Sequence, residues 1–138
     1  MTRLLERHVV ICVDDEAAIL AALRRSLRHE PYDVFTTESP EDALRWVRNR
    51  DVSLLITDQR MPGMLGTELL EEVHRRSPTT ARIILTAFPG ATAATPGIRG
   101  RTECMIGKPW DSLMLRQTIR RLLLDRELDD RQQEADRK

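Results

Sequence analysis

The chain has 138 residues, enough for one domain that buries roughly 68% of its unfolded surface around a single core. Its 22 basic and 22 acidic residues cancel, so no global field draws it to nucleic acid or to an anionic membrane surface. No apolar stretch approaches the roughly 20 residues of a membrane span and no signal-peptide pattern follows Met1, while the two cysteines, Cys12 and Cys104, read as reduced thiols of a cytoplasmic protein.

In chain order, residues 8 to 13, HVVICV, form a short apolar run rich in β-branched residues, as expected of a strand covered on both faces. Asp15 to Arg28 then places Ile19, Leu23 and Leu27 on one helical stripe with arginines opposite. Tyr32 to Thr36 is a second short strand. Ser39-Pro40-Glu41-Asp42 reads as a helix start, with Ser39 as N-cap, Pro40 in the first turn and Asp42 closing a capping box. Ala43, Leu44 and Val47 continue that helix. Val52 to Thr57 is the third strand and Thr67 to Arg76 the third helix, with Leu69, Leu70 and Val73. Arg82 to Ala87 is a fourth strand and Glu103 to Lys108 a fifth, after which Asp111 caps a final helix to about Leu124.

Strands alternating with helices through short connections imply a parallel sheet with helices on both faces, the α/β class. Between the fourth and fifth strands the pattern breaks down. Pro89, Gly90, Pro96, Gly97 and Gly100 interrupt residues 89 to 102, and Ile98 is the one large apolar side chain there, which predicts a short or broken helix. From Asp125 to Lys138 only Leu128 and Ala135 are apolar, so a polar helical extension or frayed tail is expected after a domain spanning 1–124. Gly63 and Gly66 read as turn glycines, His8, His29 and His74 as surface residues, and Trp46 and Trp110 as partly buried packing residues.

In open parallel sheets, functional groups gather at the carboxyl ends of the strands. Here those ends deliver Asp14-Asp15, Asp58, Thr86 and Lys108. Two carboxylates about 5 Å apart repel by roughly 3 kcal/mol at an effective dielectric of 20, so three would be strongly unfavourable without a cation. An all-oxygen site with few protein ligands suits Mg²⁺, which also recruits phosphate oxygens. Lys108 supplies a point charge for a phosphoryl oxygen and Thr86 a hydroxyl donor. Asp58 is then the candidate nucleophile, because a carboxylate can accept a phosphoryl group as an acyl phosphate.

The acidic pair in VDDE, the acceptor in LLITDQRMPGMLG, the threonine in ILTA and the lysine in GKPWD are separated by 43, 28 and 22 residues. In that order and spacing, residues 8 to 124 resemble the receiver domain of bacterial two-component response regulators. The wording of TDQRMPGM and KPWD is similar to receivers of the hydrogenase-regulator and cyclic-di-GMP phosphodiesterase type. The resemblance implies a flavodoxin-like, doubly wound five-stranded sheet of order 2-1-3-4-5. It implies that Asp58 takes a phosphoryl group from a histidine kinase or a histidine phosphotransfer protein. Asp15 and Asp58 would ligate Mg²⁺ directly, Asp14 through water, and the Arg60 backbone carbonyl would be a further ligand. Lys108 would pair with the phosphoryl group beside a cis Lys108-Pro109 bond. Thr86 would move to bond it, and Ala87 is small, as access for the donor requires. Arg60 and Phe88 would flank the path of the attacking water.

Against the family pattern, the aromatic position three residues before the lysine is Met105. The resemblance further implies a downstream output domain or a homodimer, with no direct nucleic-acid or membrane contact. No DNA-binding helix pair and no catalytic domain is legible in these residues. Two other classes would share parts of this pattern: a receiver-like interaction module that works without phosphorylation, and a Mg²⁺-dependent phosphohydrolase. The intact acidic trio, Thr86 and Lys108 argue against the first. The lack of a second acid shortly after Asp58 argues against the second, leaving self-phosphotransfer and hydrolysis as the only chemistry.

Overall fold

Parallel strands covered on both faces must send alternate side chains into two separate cores. The computed structural model, which describes residues 5–87 and 103–137, does this strand by strand. The strands are β1 (Val9–Val13), β2 (Asp33–Thr37), β3 (Leu54–Asp58), β4 (Ala81–Thr86) and β5 (Glu103–Gly107). All neighbours pair in parallel, in the order β2-β1-β3-β4-β5 that the resemblance implies.

Four helices of the described residues cover the sheet: α1 (Ala17–Leu27), α2 (Pro40–Asn49), α3 (Gly66–Arg76) and α4 (Ser112–Arg137). Val10, Cys12, Leu54, Ile56, Ile83 and Leu85 pack with Leu20, Leu23 and Leu27 of α1 and Leu115, Ile119, Leu122 and Leu123 of α4. The intervening strand residues Ile11, Val13, Leu55 and Ile84 pack with Ala43, Leu44 and Val47 of α2 and Leu69, Leu70 and Val73 of α3. Each fully buried Leu or Ile contributes about 1.5–3 kcal/mol relative to exposure, so the two apolar layers hold the sheet ends in place.

The differences from expectation lie at element ends and in polar contacts. Ser39 does cap α2, accepting from the Asp42 amide at 3.2 Å, but the Asp42 carboxylate bonds Arg45 at 3.1 Å instead of closing a capping box. Only His29 of the three histidines is exposed. His8 is buried, with Nδ1 2.7 Å from Ser53 Oγ, and His74 is half-buried, 3.0 Å from the fully buried Arg82. Arg82 also pairs with Glu103 across β4 and β5 at 2.6 Å.

Helix α4 continues past Leu124 to Arg137. Arg126, 6% exposed, donates to the Thr79 carbonyl at 3.0 Å and to Asp51 at 2.6 Å, while Glu127 lies 3.8 Å from His8 Nε2. This turn docks across the amino ends of β1, β3 and β4 through polar groups, which an apolar count cannot register. The expectations for residues 89 to 102 and for Phe88 lie outside the described residues.

Candidate functional site

The strand order reverses between β1 and β3, because the chain leaves β1 for β2 on one side and returns to β3 on the other. At such a point the connecting loops diverge and open a crevice at the carboxyl ends. Asp14 and Asp15 follow β1 directly, and Asp58 is the last residue of β3. One carboxylate oxygen from each lies within 4.8 Å of the others. Asp14 is fully buried, Asp58 nearly so, and Asp15 is exposed.

Lys108, just past β5, reaches into the trio. Its Nζ donates to Asp58 Oδ1 at 2.8 Å and to Asp14 Oδ2 at 3.3 Å. Lys108 thus offsets one of the three carboxylate charges and leaves two, the charge a divalent cation carries. Such an ion fits this donor set: hard oxygen ligands, one of them solvent-facing, on three fixed backbone points. Burial raises the pKa of Asp14, against the lowering effects of the Glu16 amide and of Lys108. Burial pulls Lys108 down, but its hydrogen bond to Asp58 and the charge of Asp14 outweigh that and hold it above the ordinary lysine range.

Asp14 has a second task. Its Oδ1 accepts from the Glu16 amide at 2.8 Å, which turns the chain into α1, so capping and site chemistry use different oxygens of one carboxylate. The Lys108-Pro109 bond is cis, as expected. Thr86 ends β4 and is buried, and its carbonyl accepts from the Lys108 amide at 2.8 Å. Ala87 is exposed next to it, and Arg60 is exposed in the loop after β3. Met105 is half-buried in mid-β5, opposite Ile84 and against the α2–α3 core.

Sequence reasoning missed the support under Asp58. Gln59 braces the start of α3, its Oε1 accepting from the Thr67 amide at 2.9 Å and its carbonyl accepting from the Gly66 amide at 2.9 Å. Thr57 Oγ1 donates to the Asp58 carbonyl at 2.9 Å. Gly66 is no turn glycine. A Cβ there would sit 2.2 Å from the Asp58 carbonyl oxygen, so the first residue of α3 rests on the acceptor's own backbone. Gly63, with φ +81°, is the turn glycine that was expected. No local sequence pattern marks Gln59 or Gly66 for these contacts.

The doubly wound sheet thus gathers three aspartates and a lysine in the crevice at its strand ends. The family model of the response regulator receiver domain matches residues 10–120, and the chain belongs to that family. It is 35% identical over 117 residues to the hydrogenase transcriptional regulatory protein HoxA of Cupriavidus necator, which covers 83% of this chain and 24% of HoxA. It is 31% identical over 107 residues to the DNA-binding transcriptional regulator NtrC of Escherichia coli, 78% of this chain and 23% of NtrC. The chain therefore spans about a quarter of the length of the curated relatives it matches. Among solved structures it is similar to the signal receiver domain of an HD domain-containing protein from Pseudomonas fluorescens. That match has 29% identity and a TM-score of 0.80, over 90% of this chain and 92% of that one. A CheY-like response regulator receiver domain protein from Methanospirillum hungatei matches with 26% identity and a TM-score of 0.74, over 88% and 98% of the two chains. As a member of this family the chain is a phosphoacceptor signalling domain of two-component systems, and the reading without phosphorylation is not favoured. No helix of the described residues is long and apolar enough to cross a membrane.

Proposed function

We propose that Asp58 is the phosphoacceptor, taking its phosphoryl group from a histidine kinase or a histidine phosphotransfer protein. Asp58 Oδ attacks phosphorus, the P–N bond of the donor breaks, and its electron pair stays on the imidazole nitrogen. Water later cleaves the acyl phosphate to restore the carboxylate and release inorganic phosphate, with no external substrate turned over. Asp15 and Asp58, with Asp14 through water and the Arg60 carbonyl, would hold Mg²⁺, which when bound supplies positive charge to the phosphoryl oxygens. Lys108 holds Asp58 before transfer and is placed to exchange that partner for a phosphoryl oxygen afterwards, since phosphorylation removes the carboxylate charge it now binds. Thr86 at the adjacent strand end would offer its hydroxyl to the same group, and Ala87 leaves room for the donor. The rearrangement would pass to Met105 and to an output domain or a second copy of the chain.

The observation that carries this reading is the Asp14, Asp15 and Asp58 cluster with Lys108 Nζ 2.8 Å from Asp58. Incubation with acetyl phosphate and Mg²⁺ should add one phosphoryl group by intact mass, and Asp58→Asn should abolish it in a folded protein. Full phosphorylation of that variant would place the acceptor elsewhere.

A further inference from the structure

Beside the acceptor crevice, and sharing Lys108 with it, a cleft of about 640 Å³ opens between α1, the Lys108-Pro109-Trp110 turn and the start of α4. From the chemistry of its walls we infer that this cleft binds a small aromatic anion, a flat ring carrying a phosphate. Its volume is within the usual range for a small-molecule site. Among the described residues no acidic side chain lines it. Three cations do, and they differ in what they already hold. Lys108 is matched by Asp14 and Asp58 on its other side. Arg116 spends one N–H on a neutral acceptor, the Ser26 carbonyl at 3.0 Å. Arg25 is exposed and has no hydrogen bond or ion pair among the described residues.

Two guanidiniums without a carboxylate partner among the described residues therefore line one concavity in a chain whose net charge is zero. By contrast Arg120, one turn along α4 from Arg116, is closed onto Glu30 by two bonds of 2.9 and 2.7 Å. A planar guanidinium fork matches phosphate geometry, which a point charge does not.

The ring specificity comes from Trp110. Its indole N–H donates to Ser26 Oγ at 3.0 Å, and Ser26 Oγ is 2.8 Å from Ser112 Oγ, so the polar edge of the indole is tied into α1 and α4. With the N–H engaged, what Trp110 contributes to the cleft lining, beside Ile19 and Pro109, is carbon surface held in a fixed orientation. Such a face stacks on a flat ring. The ligand would lie against the turn that carries Lys108, but none of the groups that bind it belongs to the acceptor chemistry.

Adenosine monophosphate is the probe, titrated into the full chain carrying Trp46→Phe so that Trp110 is the one tryptophan, with excitation in the indole band that Tyr32 does not absorb. Saturable quenching in the low millimolar range or tighter is expected, with adenosine alone and inorganic phosphate alone each at least about tenfold weaker. Arg25→Ala and Arg116→Ala should each weaken binding about tenfold while acetyl phosphate still phosphorylates Asp58 at the parent rate. Because that phosphorylation is read separately, failure here leaves the acceptor assignment standing. Absence of saturable quenching would overturn the inference, as would unchanged affinity in the double arginine variant. So would a preference for an acidic peptide over the nucleotide, which would make the cleft a protein-docking surface.

Discussion

Replacing Gly66 by alanine tests whether the acceptor is held from beneath by α3. The added Cβ would meet the Asp58 carbonyl oxygen at 2.2 Å and the Asp58 carbonyl carbon and Gln59 Cα at 3.0 Å. All three are backbone atoms between a buried strand and a helix, so no side chain can swing aside. Ordinary contact requires a retreat of about 1 Å, which would stretch the Gly66 amide to Gln59 carbonyl bond, now 2.9 Å, beyond useful length. Overpacking of this kind costs about 1–3 kcal/mol and a lost hydrogen bond about 1, against a gain of up to about 1 for alanine in a helix. A net loss of about 2 kcal/mol is expected in urea denaturation. A displacement of about 1 Å at a reacting group can lower a rate on the order of 10²-fold, so phosphorylation by acetyl phosphate should slow well beyond the stability effect. Gly63→Ala is the control. It carries φ +81° but has nothing within 4 Å of the new Cβ, so it should cost about 1–2 kcal/mol with the phosphorylation rate kept. A Gly66→Ala protein as stable and as fast as its parent, or a Gly63→Ala protein equally slowed, would refute the reasoning.

Asp15→Ala should weaken Mg²⁺ binding more than Asp14→Ala, because direct ligation outweighs a water bridge, and isothermal titration showing equal or reversed losses would remove that assignment. Asp14→Asn should stabilise the metal-free protein at neutral pH. Burial raises the pKa of Asp14, so the folded state binds its proton more tightly than the unfolded state, and stability falls as pH rises from the ordinary carboxylate value through the raised one. The melting-temperature advantage of the Asn variant should therefore grow across that window and be flat below it. Both cysteines are free, on β1 and β5 with two strands between them. Burial pushes the Cys12 thiol up to about 12, so a thiol reagent should modify half-buried Cys104 first and Cys12 only on unfolding, and an intramolecular disulfide would contradict the topology.

Much of the fold was legible because its signals are local. A buried parallel strand is a run of apolar β-branched residues, and VVICV and LLIT need no partner to be recognised. The stripes read as Ile19-Leu23-Leu27 and Leu69-Leu70-Val73 repeat at the helical period whatever they pack against, although Leu20 is buried where Ile19 is only half-buried. The acids, Thr86 and Lys108 were legible for a related reason: each stands where a strand ends, and strand ends in such a sheet converge. Boundaries shifted by a residue or two, as with β2 at Asp33–Thr37, because fraying ends carry little pattern.

What the tertiary structure decided depends on groups far apart in sequence. His8 reads as a surface residue until Ser53, 45 positions on, closes over it at 2.7 Å. The stretch after Leu124 is polar, yet Arg126 is buried because the Thr79 carbonyl and Asp51 receive its guanidinium. Gly66 could be any loop glycine until α3 is laid against the Asp58 carbonyl. Sequence by itself determined the elements, their order along the chain and the residue types at their tips, because those follow from periodicity and composition. Which polar groups are buried together, how closely a helix approaches the acceptor and which arginines are left without an acid became fixed only on packing, because each is a distance between residues that no local pattern relates.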